Sequence, residues 1–397
     1  MNPQFQQHMA EATRLTRLGD VAAATALIQA ALGGVALAGT PADATAAART
    51  SAAGSDVIDV VARVVPPPQA PVPVPVLPMP AGPFARAGAA PDGARVTADA
   101  PQRPAARTAP DAQPGREPAR FVAGRFQHPT AGARDYKLFL PPGAGEQPRP
   151  LVLMLHGCTQ TPDDFAAGTR MNEAAAAHGV VVLYPAQSVQ MNPQRCWNWF
   201  KRQHQQRDRG EPALLAALVR QVVADQRIDP SRVYVAGLSA GGAMAAVLGQ
   251  AYPDLFAAVG VHSGLASGVA GDLPSALAAM QSGAPAPRAS RPVPTIVFHG
   301  DRDATVNPAN GAQVFAAATP PGATAHTERI ARPGARAHTR QQQRDGHGRV
   351  VAEHWLVHGA AHAWSGGSSA GSYTDPQGPD ATREMLRFFL SQRNGGQ

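Results

Sequence analysis

From Arg120 onward, short and almost unbroken apolar runs alternate with longer stretches in which apolar residues recur at helical spacing. The runs at 136–140, 151–156, 180–184, 233–236, 257–262, 295–299 and 354–357 predict strands buried on both faces. Between them, 163–178, 211–226, 241–252 and 380–392 predict helices. Strands and helices in this alternation make a mostly parallel sheet covered by helices on both faces, so residues 119–397 are predicted to form one α/β domain.

The pattern before this region is different. Phe5, Met9, Ala12, Leu15 and Leu18, then Val21, Leu27, Ile28 and Leu32, keep helical spacing on either side of Gly19-Asp20. A short helical hairpin over residues 1–36 is predicted, read as a docking or capping unit. Over 37–118 the residues are mostly Ala, Pro, Gly, Thr and Asp, and Phe84 is the only aromatic. Too little apolar area is available there to offset chain entropy, which predicts a disordered linker, stiffest at 66–83.

Composition fits this division. The 397 residues include 39 Gly and 39 Pro, more than one compact core accommodates, while 44% hydrophobic and 16% charged residues exclude a wholly disordered chain or a coiled coil. The net charge of +7 arises after residue 118, since nine Arg balance nine Asp and Glu before it. With Lys137 and Lys201 the only lysines and no basic run interleaved with aromatics, nucleic-acid binding is not expected. The nearest approach to a membrane span, 21–39, is mostly Ala and Gly, so no transmembrane segment is expected. Cys158 and Cys196 fit either one disulfide or two buried thiols. A bridge would contribute roughly 3 to 4 kcal/mol on the chain-entropy model and would imply an oxidising compartment. No clear signal peptide stands at the start, although 21–38 after Arg14 and Arg17 fits an unusually long one. The expected location is extracellular or periplasmic, with the cytoplasm as the alternative.

The sharpest chemical signal is Gly237-Leu238-Ser239-Ala240-Gly241, between a predicted strand and a predicted helix. Flanking glycines let a strand reverse into a helix within a few residues while the serine projects outward, the context of a nucleophile elbow. A serine hydroxyl needs a base to take its proton, and the expected chain order is Ser, Asp, His. Asp303 follows the strand at 295–299 and is the expected acid, with Asp301 capping the turn. His362 follows the last strand far enough along its loop to reach over Ser239, whereas His358 sits at the strand end. His262 and His299 read as hydrogen-bonded strand-end residues, and His178 as a helix terminus. The backbone amides of Ala240 and Cys158 are the expected oxyanion donors. Cys158 as nucleophile is the rival reading, and it lacks an elbow. Trp197, Trp199 and Trp364 are candidate pocket walls, and a bridge from Cys158 to Cys196 would draw the first two to the oxyanion loop. No phosphate loop, dinucleotide fingerprint or zinc motif implies a cofactor.

The stretches LMLHGCTQTPDDFAAGTRMN, RCWNWF, VYVAGLSAGGAMAAVLGQAYPDLFAAVGVHSG, FHGDRDATV and HGAAHAWSGG, between residues 153 and 367, together resemble the polyhydroxybutyrate depolymerase family of esterases. The resemblance implies an α/β-hydrolase fold, Ser239, Asp303 and His362 as nucleophile, acid and base, and hydrolysis of 3-hydroxyalkanoate oligomers or polymers. It also extends to feruloyl and acetylxylan esterases, hence to aryl and acetyl esters. Secreted members commonly carry a polymer-binding domain after the catalytic part, whereas this sequence stops at Gln397, so soluble esters or oligomers are expected rather than solid polymer. Rival readings are acyl transfer to an acceptor other than water, a non-catalytic polymer-binding scaffold with the hairpin and linker as its working parts, and a peptidase. A neutral imidazole base requires activity to fall below roughly pH 6.

Overall fold

A computed structural model of the chain describes residues 117–287 and 291–395, together with Glu11. The hairpin expected over 1–36 and the linker over 37–118 lie outside the described residues, apart from Glu11 and the last two linker positions. Ten described strands form one sheet: β1 (Arg120–His128), β2 (Gly132–Leu140), β3 (Arg149–Leu155), β4 (Val181–Pro185), β5 (Ile228–Leu238), β6 (Ala258–His262), β7 (Thr295–Gly300), β8 (Thr324–Ile330), β9 (His338–Arg344) and β10 (Val350–Val357). Their order is β1-β2-β4-β3-β5-β6-β7-β10-β9-β8. The stretch from β4 to β10 is parallel, and the flanking strands pair antiparallel.

The apolar runs explain the layers. Side chains alternate across a strand, so Leu151, Leu153, Leu155, Val233 and Val235 enter one core cluster with Leu214, Leu218, Met244 and Leu248. Those partners come from α3 (Gly210–Asp225) and α4 (Ala240–Ala251). Val152, Met154, Tyr234 and Ala236 enter the other cluster with Phe165 of α1 (Pro162–Thr169) and Phe388 and Phe389 of α7 (Ala381–Leu390). α2 (Met171–His178), α5 (Leu273–Ser282) and α6 (Ala309–Ala318) complete the described α-helices. None of them is long and apolar enough to cross a membrane.

Two differences from the expected elements have local causes. The helix predicted over 163–178 is two helices, because Arg170 adopts φ 55° and its amide closes α1 on Ala166. The Thr169 carbonyl is taken by the Thr382 hydroxyl at 2.6 Å, which removes it from any continuing ladder. The strands β1, β8 and β9 come from RFVAGRFQH, TAHTERI and HTRQQQR, which lack a continuous apolar run. They extend the sheet at its antiparallel flanks, where charged side chains protect an edge from further pairing.

Three buried imidazoles sit on or just after the strands. Burial pushes His156 and His354 down to about 4 and His262 down to about 3, so the fold holds all three neutral. An unfolded chain protonates them near pH 6.5, and below that value it binds more protons than the native state. Stability should therefore fall as pH drops from about 6.5 to about 4, with a slope approaching the sum of three groups at about 1.4 kcal/mol per pH unit each. Urea unfolding at stepped pH measures this, and a flat profile between pH 6.5 and 4.5 would contradict it.

Candidate active site

Ser239 lies between β5 and α4 with φ 58° and ψ −120°, a conformation that costs an L residue about 1–3 kcal/mol. Surrounding backbone holds it there: its amide donates to His262 O at 2.9 Å, and a Cβ at Gly241 would collide with the carbonyls of Leu155 and His156. A glycine is therefore needed where the helix passes over β3. Ser239 is the N-cap of α4, but its side chain makes no cap bond. Among the described residues its Oγ takes no hydrogen bond, the one to His362 included.

Asp303 follows β7 and is buried. Its Oδ1 accepts the amides of Thr305 and Val306 at 2.9 Å each, and its Oδ2 lies 2.7 Å from His362 Nδ1 and 3.3 Å from His299 Nε2. Burial alone would raise this carboxyl. The hydrogen bonds from His299, His362 and Val306 outweigh it and hold the group far below the usual carboxylate range. His299 Nε2 also lies 2.9 Å from Val306 O, so it carries the proton and faces Asp303 as a donor.

Asp301 forms a second pair of the same type, with Oδ2 2.9 Å from His358 Nδ1 and Oδ1 accepting the Gly359 amide at 2.6 Å. The two pairs differ at the other ring nitrogen. His358 Nε2 is occupied by Thr339 Oγ1 at 2.9 Å, whereas His362 Nε2 has no hydrogen-bond partner among the described residues. The 358 pair ties the loop to the sheet, and the 362 ring keeps one nitrogen available. His262 connects this loop to the serine turn: its carbonyl accepts Ser239 N, and its Nε2 accepts the amide of Ser365 at 2.9 Å.

The loop after β3 passes beside the serine, since a Cβ on Gly157 would stand 3.7 Å from Ser239 Cβ. Gly157 N donates to Gln160 Oε1 at 2.9 Å, Thr159 N to Gln194 O at 2.6 Å and Gln160 N to Gly157 O at 3.3 Å. The amides of Cys158 and Ala240, by contrast, have no acceptor among the described residues. Cys158 and Cys196 are joined as a disulfide, which fastens this loop to the segment carrying Trp197 and Trp199.

The three tryptophans expected as pocket walls sit inside the fold. Trp197, Trp199 and Trp364 are all buried. The Trp197 indole donates to His156 O at 3.0 Å, and Trp199 packs in the core edge-on to Phe200. Trp364 donates to Thr382 Oγ1 at 3.0 Å and stacks on His262 at 5.0 Å. Their indoles hold the loops around the serine in place.

Several contributors lack a sequence motif. Glu211 is buried and accepts from Asn198 N at 2.7 Å, from Asn198 Nδ2 at 2.8 Å and from Gln187 Nε2, so it anchors the Cys196–Trp199 segment from below. On the other side, Gln160 Nε2 donates to Asp164 Oδ2 at 2.8 Å, and Asp164 accepts the Ser372 amide and hydroxyl at 2.8 and 2.6 Å. These bonds bring Tyr373, nearly half exposed, to the loop after β3.

A parallel sheet of this order, with a serine on a strained strand-to-helix turn at a strand's carboxyl end, defines an α/β-hydrolase. The same fold is seen in the acetyl xylan esterase from Aspergillus awamori, which matches 68% of this chain and 99% of that one with a TM-score of 0.52 at 18% identity. Residues 134–319 match the family described as esterase PHB depolymerase. Poly(3-hydroxyalkanoate) depolymerase C of Paucimonas lemoignei is 37% identical over 175 residues, 41% of this chain and 42% of that protein. NocK of Nocardia uniformis subsp. tsuyamanensis, an esterase by name, is 30% identical over 280 residues, 62% of this chain and 73% of that protein. The chain belongs to the esterase PHB depolymerase family, and it spans less than half the length of the Paucimonas depolymerase.

The bridge closes a loop of 38 positions beside the serine. Replacing both cysteines by serine should lower the unfolding free energy by about 3–4 kcal/mol, on the chain-entropy model. Urea denaturation of the Cys158→Ser/Cys196→Ser chain against wild type checks this, and unchanged midpoints would show that the bridge adds no stability.

Proposed function

We propose that this chain is a serine hydrolase of carboxylic esters acting on 3-hydroxyalkanoate oligomers or other short-chain esters. The observation that carries the reading is the His362 ring, fixed through Nδ1 by a buried, charged carboxylate while Nε2 is left without a partner. Ser239 Oγ attacks the ester carbonyl as His362 Nε2 takes its proton. The tetrahedral oxyanion meets the amides of Cys158 and Ala240, each such donor being worth about 2.7–4 kcal/mol. His362 then returns the proton to the departing alcohol, and water repeats the sequence on the acyl-enzyme. Asp303 stays ionised throughout and holds the imidazole in the tautomer with its proton on Nδ1.

The family and the similarity to the Paucimonas depolymerase support this substrate class. Soluble esters and oligomers are the proposed substrates. The disulfide supports action outside the reducing cytoplasm, in a periplasm or an extracellular space.

On p-nitrophenyl butyrate, Ser239→Ala and His362→Ala should each lower kcat by about 10⁶-fold, the scale seen when a member of such a unit is removed. His358→Ala should stay within about tenfold of wild type, because both nitrogens of His358 serve loop contacts. Retention of most turnover by Ser239→Ala would remove this serine from the mechanism. Equal losses in the two histidine variants would remove the distinction between the pairs.

A further inference from the structure

An exposed aromatic residue beside the oxyanion loop is held in place more firmly than its packing requires. Tyr373 is 47% exposed, and its ring joins neither hydrophobic cluster. Its backbone is nevertheless in the left-handed region at φ 52°, a conformation uncommon for a bulky residue. Two anchors maintain it. Ser372, just before it, is bound through amide and hydroxyl to Asp164, and the Tyr373 carbonyl accepts the Trp364 amide at 2.7 Å, two residues beyond His362. Backbone strain kept at a residue with an exposed side chain, between the loop of the base and the loop of the oxyanion donors, suits a role in binding.

The hydrogen-bond directions identify what it can bind. Thr159 Oγ1 lies 2.6 Å from Cys158 O and 3.2 Å from Tyr373 Oη. A carbonyl oxygen only accepts, so the single Thr159 hydroxyl proton goes to Cys158 O. The Tyr373 hydroxyl must then donate to Thr159 Oγ1. Its proton is committed, and its remaining lone pairs can only accept. An ester group without a donor has nothing to offer them, whereas a free hydroxyl does.

We propose that Tyr373 is a specificity-determining residue that selects esters carrying a free hydroxyl, laying its ring on their carbon skeleton and accepting the substrate hydroxyl proton at Oη. The assignment rests on the ester-hydrolase reading above and narrows it to hydroxy-esters. Losing one neutral hydrogen bond is worth about fivefold in selectivity.

The test compares ethyl 3-hydroxybutyrate with ethyl butyrate. In Tyr373→Phe, the ratio of kcat/KM for the hydroxylated over the plain ester should fall about fivefold, through KM rather than kcat. Tyr373→Ala, which also lacks the ring, should raise KM for both esters. An unchanged ratio in Tyr373→Phe would overturn the role of Tyr373 while leaving the hydrolase intact, provided that wild type turns over both esters and Ser239→Ala does not. A wild-type chain that hydrolyses neither ester would overturn both readings together.

Discussion

A carboxylate buried in a protein remains charged only where donors converge on it, and Asp303 has four: two amides of its own turn and the rings of His299 and His362. The rest of the site is arranged around that requirement. Oδ1 fixes the turn after β7, and Oδ2 fixes the ring that comes from beyond β10, the strand paired with β7 in parallel. One charge therefore sets the position of the loop, the tautomer of the imidazole and the direction of its free nitrogen. Removing either ring donor would leave a charge inside the protein with fewer partners, which explains why the buried His299 faces the same oxygen.

The serine side is governed by sterics. Ser239 sits at a positive φ because the helix after it must pass directly over β3, and glycine at 241 allows the approach. The loop after β3 is held from two sides, by the disulfide and the Glu211 network on one and by the Gln160, Asp164 and Ser372 bonds on the other. The amides of Cys158 and Ala240 have no acceptor among the described residues, which leaves them available for the oxyanion role proposed above.

Most of the central architecture was legible because strands buried on both faces leave continuous apolar runs. Ser239 was legible because its turn demands glycines at fixed offsets, and the pairing of Asp303 with His362 followed from chain order. What escaped is equally physical. β9, with HTRQQQR, faces partly polar surroundings at the antiparallel flank and has no apolar run to reveal it. The interior partners of Trp197 and Trp364, the His156 carbonyl and the Thr382 hydroxyl, come from distant parts of the chain that no local pattern links. The role of Tyr373 depends on which way a threonine proton points, which spacing alone does not encode.

Fluorophosphonate labelling followed by peptide mapping tests the central claim most directly, since the probe reacts only with a serine activated by its neighbours. The adduct should map to the peptide carrying Ser239, and its rate of formation should drop by orders of magnitude in Asp303→Asn, where the wrong imidazole tautomer is favoured. Labelling elsewhere, or an equal rate in Asp303→Asn, would contradict the account.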